Sequence, residues 1–283
     1  MTTAIELVSA PARRRAPGVV VILASFLAIV AVMAALGGTL FPDAMRQDIL
    51  AGLLPAGSPG HPLGTDELGR DVLAMTVAGT ASSVVGPVLV ALGSMVCGIV
   101  LGTLAGYERG WLDFLIGRWT DLLLALPVLL AAIVVSGVLG GGYAVTVVLL
   151  IVLFSPSDIR IVRAGVLEQS SRPYIEAAQM LSLSRWRVMF RHILPNVSTL
   201  IITNTMLNVA FALVAFSSLS FLGVGVAPGT ADWGRQLTDN RAIMFDNPAA
   251  VITPAVLIIA VACAVNVLGD WAGERLSRTG ARS

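Results

Sequence analysis

Five stretches of this chain carry no charged side chain: residues 16–42, 72–107, 122–157, 196–226 and 249–268. Runs of that length leave few possible folds. A helix needs about 20 mostly apolar residues to cross a bilayer. Inside lipid, only helices or closed barrels satisfy every backbone N–H and C=O. Only 12% of the 283 residues are charged, against about 25% in a soluble domain. The chain therefore reads as an all-α membrane protein. Residues 19–41 form a first span. The 72–107 run is too long for one span and divides into a short interfacial helix and a second span over 83–107. Gly140, Gly141 and Gly142 break the 122–157 run into a third span over 116–139 and a fourth over 143–159. Residues 196–226 and 249–268 supply the fifth and sixth.

Charge placement orients these six spans. All 18 basic residues are Arg. With a cytoplasmic N-terminus, 14 of them fall on the inside and four (Arg46, Arg70, Arg235 and Arg241) on the outside, as the excess of positive charge in cytoplasmic loops requires. Arg13, Arg14 and Arg15 precede the first apolar run as in a signal peptide. The run exceeds the apolar core of such a peptide, which is about 7–15 residues, so the helix is expected to stay uncleaved. The expected organisation is a cytoplasmic tail over 1–18, the first span over 19–41 and an extracytoplasmic loop over 42–82. A core domain over 83–268 contains a cytoplasmic segment, 160–195, and a cytoplasmic tail follows over 269–283.

Composition also excludes chemistry. Without a single Lys, the chain has neither a Walker A phosphate loop nor a Schiff-base lysine. Two His and two Cys far apart in sequence make no zinc motif. Cys97 and Cys263 lie in apolar runs and read as small core hydrophobes. No nucleophile–base pair or metal cluster supports an intramembrane enzyme. A proton- or sodium-coupled carrier would need mid-span ionisable groups or internal repeats, and neither is evident. Asp121 and Asp158 sit near cytoplasmic span ends and read as partners of nearby Arg residues. No cofactor and no nucleic-acid partner is expected.

The cytoplasmic segment between the fourth and fifth spans holds six of the inside Arg residues. Residues 170–183 have helical spacing. Ser171 or Arg172 can cap the helix, Pro173 suits its first turn, and Glu176 lies near its positive end. Tyr174, Ala177, Ala178 and Leu181 fall on one face, kept low by the two alanines. A second, amphipathic helix over 184–193 places Trp186, Met189, Phe190 and Ile193 on one side, a pattern suited to the membrane interface. By spacing alone, the segment is either a topology-setting basic loop or a docking surface.

The order of residues resembles a family signature. Glu176-Ala177-Ala178 and Ile193-Leu194-Pro195 are similar to the cytoplasmic signature of ABC-importer permeases, with Ser182 standing where that family usually has Gly. His61 to Leu73, HPLGTDELGRDVL, resembles the signature of C-type permease subunits in the dipeptide, oligopeptide and nickel importer family. Residue types alone assign that stretch only a capped helix entry, with Thr65 as cap and Asp66–Arg70 as an i,i+4 pair. Leu219 to Gly234 and Asn266 to Asp270 resemble further motifs of the same family.

The resemblance implies a type I importer permease fold with six spans. It also implies a coupling helix, formed by Tyr174, Glu176, Ala177, Ala178, Leu181 and Ser182, that docks on an ATP-binding subunit. The implied partners are a homologous B-type permease, two ATP-binding subunits or one fused subunit, and an extracytoplasmic solute-binding protein. ATP and Mg would be bound by those ATPase subunits, so this chain would be a non-catalytic permease in the cytoplasmic membrane. The implied cargo is a dipeptide or oligopeptide, with nickel chelates or another small solute as the alternative. Polar residues in the fifth span, Asn204, Asn208 and Ser217, are candidates either for the translocation path or for interhelical hydrogen bonds, and Asn266 in the sixth span has the same two readings.

Overall fold

The computed structural model describes residues 17–280. The side chains of Arg13, Arg14, Arg15 and Arg278, and Arg282 with the last residues, lie outside what is described. The first helix, α1 (Pro17–Leu40), is apolar on every side, as a helix in contact with lipid must be. A loop leads to α2 (Val72–Ala78), which passes through Gly79 into α3 (Thr80–Glu108). Together these form one apolar stretch, Val72–Glu108.

The third expected span is bent. It forms α4 (Gly110–Leu124) and α5 (Val128–Leu139), which meet at 89°. Pro127 is the cause: the residue before a proline is pushed out of the helical region, and Pro itself begins the new helix as its cap. A straight crossing over 116–139 is therefore replaced by two helices. Among the described residues, five other helices are long and apolar enough to cross a membrane.

Gly140, Gly141 and Gly142 all have positive φ and turn the chain into α6 (Tyr143–Ser170). This helix runs eleven residues beyond the expected fourth span. It leads to α7 (Pro173–Met180), then α8 (Arg185–Arg187) and a π-helical turn, Val188–Ile193, which continues into α9 (Leu194–Phe221). A short α10 (Trp233–Asn240) and the long α11 (Ala249–Gly280) complete the fold.

Small residues fix the central helix pair. Gly98, Gly102 and Gly106 repeat every four residues on α3 and face α6. A Cβ on Gly98 would stand 2.6 Å from Asp158 Cβ, and one on Gly106 2.9 Å from Val166 Cβ. This small-residue stripe lets the two backbones approach closely, the usual packing device where lipid provides no hydrophobic drive. Two separate apolar cores form between α3, α6 and α9. One holds Val90, Leu150, Leu153, Phe216 and Leu219; the other holds Met95, Val162, Val166, Val197 and Ile201. Cys263, expected inside, faces outward from α11, while Cys97 is half-buried.

Candidate functional site

Two sites stand at opposite ends of the bundle. The first is the segment joining α6 to α9. Helix α7 begins with Pro173 and has Glu176 in its first turn, next to the partial positive charge of the helix N-terminus. Its end is closed by backbone geometry. Leu183 N–H donates to Ala178 O at 3.3 Å, and Ser182 adopts φ +56°. That is a Schellman closure with its left-handed residue at Ser182. It explains in physical terms why glycine would suit that position.

Burial divides α7. Ile175 is fully buried and Ala178 is 6% exposed, both in the core with Val188 and Ile193. Glu176 and Ala177 are exposed, as are Met180 at 85% and Leu181 at 76%. The four residues expected on one face are thus split: Ala178 points into the chain's own core, and Ala177 and Leu181 point away from it. Tyr174 is partly exposed. Its hydroxyl donates to Gln169 Oε1 at 2.9 Å and accepts from Asn196 Nδ2 at 3.2 Å, tying the start of α7 to both flanking helices.

The second expected helix is also divided. The π-helical turn buries Val188, Met189 and Ile193. Trp186 and Phe190 stack on the exposed side with centroids 5.5 Å apart. Arg185 donates to Glu108 at 2.7 Å, anchoring the segment to the end of α3.

The second site joins stretches far apart in sequence, through hydrogen bonds spanning 149 to 157 residues. Asp66 is 1% exposed and accepts from Arg70 Nε at 2.6 Å and from the Leu68 and Arg70 N–H groups. Arg70 also reaches Asp239 at 3.6 Å, and Asp239 accepts from Arg235 at 3.1 Å. The Asp66–Arg70 pair forms, but in a turn rather than on a helix: the Asp66 N–H donates to Arg70 O at 3.1 Å, the helix begins only at Val72, and Thr65 does not cap it. Asp71 does, accepting from Ala74 N–H at 2.7 Å, while its other oxygen faces His61 Nδ1 at 2.7 Å. Thr65 is instead buried, donating to Ala51 O and accepting from Leu54 N–H.

Trp233, fully buried, donates from Nε1 to Thr76 O at 2.9 Å. Its N–H donates to Ser83 Oγ at 2.8 Å, and Ser83 donates to Asp232 Oδ2 at 2.9 Å. Asp232 also caps α10. Burial holds its carboxyl above the ordinary value of 3.8, partly offset by hydrogen bonds from the Arg235 N–H and from Ser83. Gly79 permits the contact between these motifs: a Cβ there would lie 2.9 Å from the Asp232 nitrogen. Neither motif's sequence signals that the two form a single site.

The polar residues of α9 are placed as follows. Asn204 and Asn208 both donate to Asp158 Oδ1, at 2.6 and 2.5 Å. Asp158 is fully buried and accepts from two amides of α9, in place of the Arg partner expected for it. Asp121 does pair with Arg160 and, at 3.5 Å, with Arg118. Ser217 is buried against Gly234. Asn266 Oδ1 is buried with no hydrogen-bond partner among the described residues.

An all-α bundle of membrane-spanning helices with a structured segment at one end is the architecture of a polytopic membrane component. Residues 98–279 match the family described as "Binding-protein-dependent transport system inner membrane component", and the chain belongs to that family. It is 36% identical over 219 residues to the glutathione transport system permease protein GsiD of Pectobacterium atrosepticum, covering 77% of this chain and 73% of that relative. It is 34% identical over 257 residues to the dipeptide transport system permease protein DppC of Haemophilus influenzae, covering 89% and 87%. The di/tripeptide transport system permease protein DppC of Pseudomonas aeruginosa is 34% identical over 223 residues, covering 79% and 74%.

Proposed function

We propose that this chain is the C-type permease subunit of an ATP-driven importer of short peptides, and that α7 is its coupling helix. The placement of α7 carries this reading. The helix is rooted in the core through Ile175 and Ala178, and it presents Met180 and Leu181 almost fully exposed beside Glu176 and Ala177. Exposed large apolar side chains on a rooted helix fit a groove on another protein. Ala178 and Ser182 position the helix, and Tyr174 fastens its start.

The excess of Arg at this end supports a cytoplasmic placement. The loops over residues 41–71 and 222–248 then face outward, where a solute-binding protein would dock. A homologous permease would complete the pathway, and ATP would be hydrolysed on separate subunits, since the chain has no Lys for a Walker A loop. ATP-driven movement of α7 would rock α6 and α9 between two accessible states. A full switch between such states requires about 5.5 kcal/mol of differential binding. Peptide cargo is supported by the names of the dipeptide, di/tripeptide and glutathione relatives.

The test is co-expression with the partner subunits. Leu181→Asp should leave the chain inserted but abolish peptide uptake and retention of the ATPase subunit. Normal uptake with the ATPase still retained would overturn the assignment of α7. Uptake of a small non-peptide solute only would overturn the cargo.

A further inference from the structure

The two apolar cores of the bundle are separated by a polar layer. On α6, the upper core uses Leu150 and Leu153, and the lower core uses Val162 and Val166. On α9, the upper core uses Ala212, Phe216 and Leu219, and the lower uses Val197 and Ile201. Asp158, Asn204 and Asn208 lie between them in both helices.

Two features mark this layer. Asp158 Oδ2 is buried and lacks a hydrogen bond of good geometry among the described residues, with the Ser94 hydroxyl of α3 beside the carboxyl. A carboxylate in that state is costly inside a membrane bundle, and such groups generally mark function. Beside it, Pro156 interrupts the hydrogen bonding of α6. The freed Val152 carbonyl is taken by Ser155 Oγ at 2.9 Å, which leaves a satisfied but weakened point in the helix.

The lower core continues directly into the segment that carries α7, because Ile175, Ala178, Val188 and Ile193 belong to it. Helix α6 enters that segment and α9 leaves it. Among the described residues, the side-chain hydrogen bonds between these two helices are those from Asn204 and Asn208 to Asp158 Oδ1.

We propose that Asp158 is a positioning residue: by holding Asn204 and Asn208 at the junction of the two cores, it keeps α6 and α9 in register so that both stems of the α7 segment turn as one body about the Pro156 point. The proposal rests on the coupling reading of α7 for its consequence in transport. The register itself is a property of the bundle and can be measured separately.

The experiment uses the assembled transporter with Cys97 and Cys263 replaced by Ser. Spin labels are placed at Ala164→Cys on α6 and Ser198→Cys on α9, and distances are read with and without nucleotide. With Asp158 intact, one narrow inter-stem distance should persist in both states. Asp158→Leu should broaden it and lower uptake by about tenfold, with ATP hydrolysis continuing. Asp158→Asn, which keeps an acceptor for the two amides, should restore both the narrow distance and most of the uptake. A distance that stays narrow in Asp158→Leu would overturn the proposal. So would an Asp158→Asn variant as impaired as Asp158→Leu. If Asp158→Leu does not assemble, Asn208→Ala in the same labelled background decides, and an unchanged distance there overturns the proposal. If instead the distance broadens while uptake is untouched, the register claim stands and the coupling reading of α7 fails.

Discussion

Asp66 and Arg70, four residues apart, close a buried ion pair at 2.6 Å with side chains 2% and 8% exposed. The pair does not stand alone, because Arg70 also faces Asp239 in the segment before α11. Replacing Arg70 by Met would leave the Asp66 carboxylate buried and without its cation. Removing one partner of such a pair costs about 3–5 kcal/mol. Thermal unfolding of the purified complex should show a marked drop, together with faster proteolysis of the 41–71 loop. An unchanged melting temperature would show that the loop is held by other contacts.

Ser182 holds φ +56° without being glycine. A left-handed conformation costs an L-residue about 1–2 kcal/mol. Ser182→Gly should therefore stabilise the chain by about 1 kcal/mol, and Ser182→Val should destabilise it, because a β-branched residue tolerates this region least. The two variants should move the melting temperature in opposite directions, and a common direction would mean the turn relaxes.

Ala177 and Ala178 are neighbours with opposite surroundings, and this separates docking from folding. Ala178→Trp would overpack the core around Ile175, Val188 and Ile193, at a cost of about 1–3 kcal/mol. Ala177→Trp adds bulk only on the exposed side. It should leave the melting temperature unchanged while reducing uptake and ATPase retention. Equal loss of stability in both variants would mean that α7 does not sit as described.

Asp232 gives a pH dependence. Burial raises its native carboxyl above 3.8, so between that value and the raised one the native state binds more protons than the unfolded state. Stability then falls as pH rises through this window and levels off above it. Asp232→Asn keeps a cap acceptor for the Arg235 N–H, and its amide can donate to Ser83 Oγ. Melting followed from pH 4 upward should decline less in this variant than in wild type. Parallel profiles would mean that another group governs the slope.

Some of this architecture is local and therefore legible in the sequence. The charge-free runs dictate the helices, because lipid admits few other backbones. Gly140 to Gly142 mark a boundary through their own backbone preferences, whereas Pro195, which by itself reads as a stop, lies inside a helix that continues from Arg185 to Phe221. Ser182 carries no such local signal: only the family's usual Gly at that position suggests a turn there, and the φ of +56° is seen only in the structure.

Other features depend on which surfaces meet. The break at Pro127 becomes an 89° bend rather than a mild kink, with α4 held to α6 by Asp113 and Arg163 at 2.5 Å. Helical spacing puts Ala177 and Ala178 on adjacent parts of one surface. Only the wedge between α6 and α9 decides that Ala178 is inside and Ala177 outside. Asp158 finds its partners 46 and 50 residues away. The contact of Asp232 with Ser83 spans 149 residues and requires Gly79 to admit it. Periodicity fixes how a helix is striped, but the pairing of stripes is set by close packing, which depends on all the helices at once.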